Sequence, residues 1–343
     1  MDKKIILAVA GAGKSTYIVN KIEDTSKALI VTYTELNAKL LKEKIIKKLG
    51  YIPKNVRVYT YFSFVYSFCL KPLLGHKINI RGINFENNFD RYVKKTHLRF
   101  WFDKHNRVYA NRISRLIIDV GILEEVLKKI DKYFDFVCID EFQDFAGNDF
   151  NFMCKLTRLH SEVILVGDFY QHTFDTSRDG IINKNLHSDY DKYCQRLLKS
   201  GFQIDKDLLS NSYRCSQSVC DFVSTKLGIL IGSHNNKKVI VSLVEDADKI
   251  IEIFENSMVV KLFYQDSSKF RGNTQNWGNV KGADSYNDVC VILNKKSFEY
   301  FKRNNLNSLV ESTKNKLYVA CTRARGNLYF IEEKKLKELI KTY

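Results

Sequence analysis

The stretch Ala8-Val9-Ala10-Gly11-Ala12-Gly13-Lys14-Ser15-Thr16 follows the apolar run Ile5-Ile6-Leu7 and decides how the rest of the chain is read. A buried strand, a glycine-rich turn and a Lys-Ser pair opening a helix make a phosphate-binding loop. Gly11 and Gly13 let the backbone N–H groups around Ala10, Ala12 and Thr16 turn toward phosphates. Lys14 is placed to reach the β and γ phosphates, and Ser15 offers its hydroxyl to Mg²⁺. The predicted ligand is a nucleoside triphosphate. The first glycine of the usual G-x-x-x-x-G-K-[ST] pattern is Ala8 here, a place alanine fills only at negative φ. A plain Gly/Ala turn between strand and helix is the alternative, and the motifs downstream weigh against it.

At 343 residues and 45% apolar content the chain is long enough for two domains with their own cores. Lys and Arg number 55 against 39 Asp and Glu, a net charge of +16 that points to a polyanionic partner. No apolar run approaches the ~20 residues of a spanning helix and no signal peptide precedes the phosphate loop, so no membrane partner is expected and the location is predicted cytoplasmic. The eight cysteines include no C-x-x-C pair. They sit mostly in apolar runs such as Val137-Cys138-Ile139 and Val289-Cys290-Val291, where a thiol is a small core hydrophobe. Neither a zinc site nor a disulfide framework is indicated.

Short β-like runs at 5–10, 28–32, 136–139, 163–166, 289–293 and 328–331 alternate with helix-like segments such as 36–49 and 123–133. That alternation predicts an α/β fold with mostly parallel sheets. The run Phe136-Val137-Cys138-Ile139 delivers Asp140 and Glu141 at its C-terminal end, where parallel sheets bind ligands. Asp140 is predicted to hold Mg²⁺, and Glu141 to orient or deprotonate the attacking water. A solvated acidic turn would explain the pair equally well were there no phosphate loop upstream.

A third such strand, Val163-Ile164-Leu165-Val166, runs into Gly167-Asp168-Phe169-Tyr170-Gln171. Together with Asp140-Glu141-Phe142-Gln143-Asp144 it makes the chain resemble superfamily 1 helicases of the UvrD/Rep/PcrA group. The resemblance continues through Leu209-Ser210-Asn211-Ser212-Tyr213-Arg214, similar to N-Y-R with Ser212 where asparagine is usual. It continues in Val280-Lys281-Gly282-Ala283-Asp284, similar to K-G-x-E, and in Tyr318-Val319-Ala320-Cys321-Thr322-Arg323-Ala324-Arg325, close to Y-V-A-x-T-R-A. It implies two RecA-like P-loop domains, 1–200 with a small basic insertion near 65–130 and 201–343, with ATP and Mg²⁺ at their interface. It also implies that Gln171 senses the γ phosphate, that Arg214 and Arg323 neutralise its developing charge, that Tyr213 stacks on the base, and that Gly282 and Asp284 contact phosphate or ribose. A surface salt bridge is the alternative for each arginine.

Two further elements resemble the family's strand-binding segments, Thr32-Tyr33-Thr34-Glu35-Leu36-Asn37-Ala38 and Val58-Tyr59-Thr60-Tyr61-Phe62-Ser63-Phe64. Thr32, Thr34 and Thr60 are candidates for phosphate contact, Tyr33 and Phe62 for base stacking. Core packing is the competing account, strongest for Phe64, Val65 and Phe68. Residues 91–115 carry eight Lys/Arg, including Arg91, Lys94, Lys95 and Arg99, against the single acid Asp103, with Trp101 among the interleaved aromatics. This mixture suits a strand or duplex, while a helical insertion with core aromatics and solvated charges is the bland account.

Three departures from the family pattern stand out. Only seven residues precede Ala8, too few for an adenine-reading glutamine motif, so ATP is favoured without being specified. Arg214 and Lys281 are too close along the chain to admit the large second accessory subdomain. The stacking aromatic after G-D-x-x-Q maps near Thr176, with Phe174 as a substitute. The function implied is an ATP-dependent single-stranded DNA translocase or helicase, 3′ to 5′. The rival is a nucleotide-gated ATPase subunit that switches a protein partner such as a nuclease.

Overall fold

The computed structural model describes residues 3–86, 92–173, 179–283 and 285–342. Two compact units divide the chain. The first comprises Met1–Ile6, Lys14–Gly167 and Phe174–Asp205, and the second Leu7–Gly13, Asp168–Thr173 and Lys206–Tyr343.

In the first unit six strands lie in the order Val56–Thr60, Ala28–Thr32, Phe136–Asp140, Glu162–Gly167, Lys3–Leu7 and Gln203–Asp205. Val56–Thr60, Ala28–Thr32, Phe136–Asp140 and Glu162–Gly167 pair in parallel, with Ile30 facing Val58 and Cys138, and Ile139 facing Leu165. Lys3–Leu7 pairs in parallel with Gln203–Asp205. Ala28–Thr32 is buried along its whole length, as a strand covered on both faces must be. The helix Glu35–Leu49 starts where Thr34 Oγ1 accepts from Asn37 N at 3.1 Å and stops at Gly50, whose φ of 85° closes the last turn.

The basic insertion folds around a two-stranded parallel pair, Gly82–Asn84 with Arg107–Tyr109, and the short helices Leu98–Trp101 and Ile113–Asp119. Asp103, the single acid of residues 91–115, organises the turn. Asp103 accepts from the backbone N–H of His105 and Arg107, each at 2.9 Å, from Arg107 Nε at 2.7 Å and from Asn84 Nδ2 at 2.9 Å.

In the second unit five strands run in the order Val241–Leu243, Leu328–Glu332, Val289–Leu293, Val260–Phe263 and Thr274–Asn276, all paired in parallel. Val289–Leu293 is its buried centre. A parallel ribbon joins Asn211–Ser216 to Gly232–Asn235. The expected α/β class with parallel sheets is what the chain adopts. The first strand ends at Leu7, not at 10, because the loop turns there. Among the described residues no helix is long and apolar enough to cross a membrane.

Candidate active site

The phosphate-binding loop departs from regular structure where its glycines stand. Gly11 has φ 74° and Gly13 φ 85°, while Ala8 is not among the residues with positive φ. Gly11 is glycine for space as well. A Cβ there would fall 2.6 Å from Ser212 Oγ and 2.7 Å from Arg214 Cβ. Gly11 O accepts from Tyr213 N at 3.0 Å, and Val9 N donates to Leu209 O at 2.9 Å, so this segment is held as an extra backbone partner of 209–213. Ser212 fills the usual asparagine place by accepting from Arg214 N at 3.2 Å and Cys215 N at 3.0 Å, a turn that a short hydroxyl side chain closes.

Lys14 opens the helix Lys14–Asn20, with Ser15 half-buried and Thr16 exposed behind it. Lys14 Nζ lies 3.6 Å from Glu141 Oε1. Asp140 ends its strand 3% exposed and its Oδ1 accepts from Glu141 N at 3.0 Å. Glu141 adopts φ 54° and ψ 40°, a left-handed conformation that a non-glycine residue holds only when its surroundings impose it. Gln143, fully buried, donates from Nε2 to Glu141 Oε2 at 2.6 Å and so fixes that carboxylate from the opposite side to Lys14. Sequence reasoning gives Gln143 no role of its own.

Gln171 is buried, and its Nε2 donates to Asp168 Oδ2 at 2.9 Å. Arg214 is half-buried with Nη1 on Thr322 O at 3.2 Å. Arg323 is buried, its Nε donating to Val319 O at 3.2 Å and its Nη1 to Ala283 O at 3.1 Å. That last bond joins the Y-V-A-x-T-R-A-like and K-G-x-E-like elements. Gly282 has φ 84°, and Asp284 lies outside the described residues. Tyr213 is largely exposed and stacks on His234 with ring centroids 4.5 Å apart at 27°, so one of its faces is already covered. His234 carries no motif signal.

The strand-contact expectations divide. Lys94, Lys95 and Arg99 are exposed, and Thr34 is exposed while capping its helix. Tyr33 and Phe62 are half-buried 6.1 Å apart, with Phe62 meeting the exposed Phe85 edge-on at 5.0 Å. Three of the candidates are buried. Thr32 is fully buried at its strand end, and its Oγ1 has no hydrogen-bond partner among the described residues. Thr60 is buried, donates to Ser63 Oγ at 2.9 Å and caps the following turn. Trp101 is buried in the insertion, its Nε1–H donating to Lys95 O at 3.0 Å and its ring packed edge-on against Phe100 at 4.7 Å. The Trp101 ring and the Thr60 hydroxyl are thus engaged within the protein. Phe64 and Val65 are core residues. Arg91, Phe174 and Thr176 lie outside the described residues.

Residues 84–184 match the UvrD/REP helicase N-terminal domain. Gabija protein GajB of Bacillus cereus (strain VD045) is 24% identical over 286 residues, covering 75% of this chain and 54% of that protein. The chain thus spans about half the length of that curated relative. Among solved structures, the complex of arterivirus nonstructural protein 10 (helicase) with DNA superposes with a TM-score of 0.52 at 15% identity, covering 99% of this chain and 63% of that one. The PRRSV helicase gives 0.48 at 12% identity, over 96% and 52%. The first of these shows a shared fold, and with the domain match it bears out the helicase resemblance read from the motifs.

Proposed function

We propose, from the premise that this chain carries a UvrD/REP helicase N-terminal domain, that it hydrolyses ATP and couples hydrolysis to movement on single-stranded DNA. The observation that carries the hydrolytic part is Glu141. A carboxylate beside a buried strand end, held in a left-handed backbone and clamped by Gln143 at 2.6 Å with Lys14 at 3.6 Å, is preorganised for one position. In this reading Glu141 orients and deprotonates the attacking water, and Lys14 neutralises the β and γ phosphates. Gln171 senses the γ phosphate, while Arg214 and Arg323 offset charge on the transferring group. Tyr213 offers its uncovered face to the base, and the phosphates lie against the N–H groups of Gly11, Gly13, Ser15 and Thr16, whereas Ala10 N and Ala12 N are already bonded within the protein and bring their residues to the loop without donating. Among the described residues no cluster of three or more His, Cys, Asp or Glu forms a protein cage for a metal. In this reading Asp140, a buried carboxylate at its strand end, and the Ser15 hydroxyl would hold Mg²⁺, which would supply neutralisation of the phosphate charge.

Coupling to a strand rests on the exposed cations Lys94, Lys95 and Arg99 and on Thr34, Tyr33 and Phe62. The polarity, 3′ to 5′, is carried over from the family resemblance. The experiment is the steady-state ATPase rate with oligonucleotides of increasing length. A translocase gives a rate that rises with length and then saturates. A rate indifferent to oligonucleotide would overturn the motor and favour an ATPase that switches a protein partner such as a nuclease.

A further inference from the structure

One side chain, outside every role assigned above, binds the phosphate loop and the γ-phosphate glutamine into a single hydrogen-bonded chain. Tyr318 lies on the helix Glu311–Cys321, and its hydroxyl accepts from Ala10 N at 2.9 Å and donates to Asp168 Oδ2 at 2.8 Å. The same Oδ2 accepts from Gln171 Nε2 at 2.9 Å, and Asp168 Oδ1 accepts from Tyr170 N at 3.1 Å. Ala10 and Tyr318 are fully buried, and Asp168 and Gln171 are nearly so.

The chemistry of these groups leaves one arrangement. A carboxylate has no hydrogen to give, so the phenol proton points at Asp168 and a phenol lone pair at Ala10. For the same reason Gln171 must turn its amide nitrogen to Asp168 and leave Oε1 on the far side. Burial and the adjacent Asp168 carboxylate push the Tyr318 phenol well above its usual range, which keeps that proton in place. Packing alone does not require the hydroxyl, because phenylalanine would fill the same apolar surroundings. What the oxygen adds is a fixed link among three segments distant in sequence, one carrying the phosphate loop and one carrying Gln171.

We infer that Tyr318 is a positioning residue which, through Asp168, locks the amide of Gln171 relative to the backbone of the phosphate loop. The inference rests on the hydrolytic reading above. Tyr318 itself touches no substrate. Its effect passes through Gln171, so losing the hydroxyl should matter only while Gln171 is present.

The test is a double-mutant cycle of Tyr318→Phe and Gln171→Ala in the full chain, with three readouts. These are ATP turnover, titration of a non-hydrolysable ATP analogue, and hydrogen exchange at the Ala10 amide without nucleotide. Tyr318→Phe should raise exchange at Ala10 and change analogue affinity by less than about 3-fold. It should lower kcat on the order of 10- to 100-fold, the scale of a small misplacement of a reacting group. In the Gln171→Ala background the further loss should vanish. Additive losses would reduce Tyr318 to a packing residue and overturn the inference, as would unchanged kcat. If Tyr318→Phe fails to fold, Asp168→Asn takes its place. It leaves one acceptor oxygen where Oδ2 now receives two donors, and should show the same non-additive loss. Absence of turnover in the unmodified protein would instead remove the hydrolytic reading itself, a different result from additive variants of an active enzyme.

Discussion

Lys14 Nζ and Glu141 Oε1 stand 3.6 Å apart, both side chains largely buried, so the cation expected on the phosphates and the carboxylate expected to act on water neutralise each other. Phosphate must displace that contact. Glu141→Gln keeps the shape and the hydrogen-bonding capacity toward Gln143 while removing the base. Turnover should fall by ~10²-fold or more. Affinity for a non-hydrolysable analogue should hold or rise a few-fold, since Lys14 loses a competing charge. Rapid-quench turnover and analogue titration check both arms, and turnover near that of the unmodified protein would remove Glu141 from its role.

Gly167 offers an indirect test of the same carboxylate. A Cβ at that position would fall 2.4 Å from Gln143 Oε1, 2.9 Å from Phe142 Cδ1 and 3.2 Å from Gln143 N. Gly167→Ala should therefore push Gln143 off Glu141, lowering kcat, and cost about 1–3 kcal/mol of stability as overpacking. A thermal melt and a turnover assay measure the two effects. Loss of stability with kcat intact would show that Gln143 does not govern Glu141.

Much of this arrangement is legible in the sequence because Lys14, Asp140, Glu141 and Gln171 each lie in a glycine turn or just past the end of a strongly apolar strand, two signals with direct backbone meaning. The runs at 28–32, 289–293 and 123–133 coincide with elements observed over the same residues. Val56–Thr60 and Val260–Phe263 do not stand out as strands. Arg57 and Lys261 break their apolar runs, and Lys261 is buried only because its ammonium reaches Asn256 O and Val259 O. The roles of Gln143 and Tyr318 are also hidden. Each acts by donating to a carboxylate, in the case of Tyr318 one 150 positions away, and no local pattern encodes such a partner. Trp101 is ambiguous in the sequence for a simple reason: aromatics among cations serve equally as a stacking platform and as the core of a small insertion.

Arg323 is expected to act on the transferring phosphoryl group although it is buried and tied to Ala283 O and Val319 O. Arg323→Ala should lower kcat by ~10²-fold or more while weakening analogue binding far less, because its charge matters most in the transition state. Arg323→Lys keeps the charge and loses the fork to two carbonyls, so it should recover only part of the rate. Selective loss of affinity with kcat intact would make Arg323 a ground-state contact.

Asp103 gives the basic insertion a pH dependence of known sign. Partial burial raises its carboxyl pKa, but hydrogen bonds from the Arg107 backbone and side chain and from His105 N–H outweigh that and hold it below the ordinary aspartate range. The folded form therefore binds its proton less readily than the unfolded form. The stabilisation is complete above the ordinary value near ~4 and is lost as pH falls through the lowered folded value. Hydrogen exchange at Arg107 and His105 should rise on acidification in that window. Asp103→Asn should raise it at neutral pH and remove the acid step, and an unchanged acid step would assign it to another carboxylate.

The basic insertion separates charge from packing, and two substitutions exploit the difference. Lys94, Lys95 and Arg99 are exposed, whereas Trp101 is buried with its indole N–H on Lys95 O. If these cations track a single strand, replacing all three with alanine should weaken binding and flatten the slope of log K against log salt by about 0.7 for each phosphate no longer neutralised. Basal ATPase should be retained, since none of the three belongs to the phosphate-handling set. Trp101→Ala should instead destabilise the protein by roughly 3–5 kcal/mol, the range for removing a buried aromatic. Its salt slope, measured below the unfolding transition, should not change, because an edge-on contact with the protein's own Phe100 releases no counterions on binding. Fluorescence anisotropy over a salt series and a denaturant melt check the pair. A triple variant with unchanged affinity and slope would make this face a docking surface for protein, and a stable Trp101→Ala with weakened binding would restore the tryptophan to the strand.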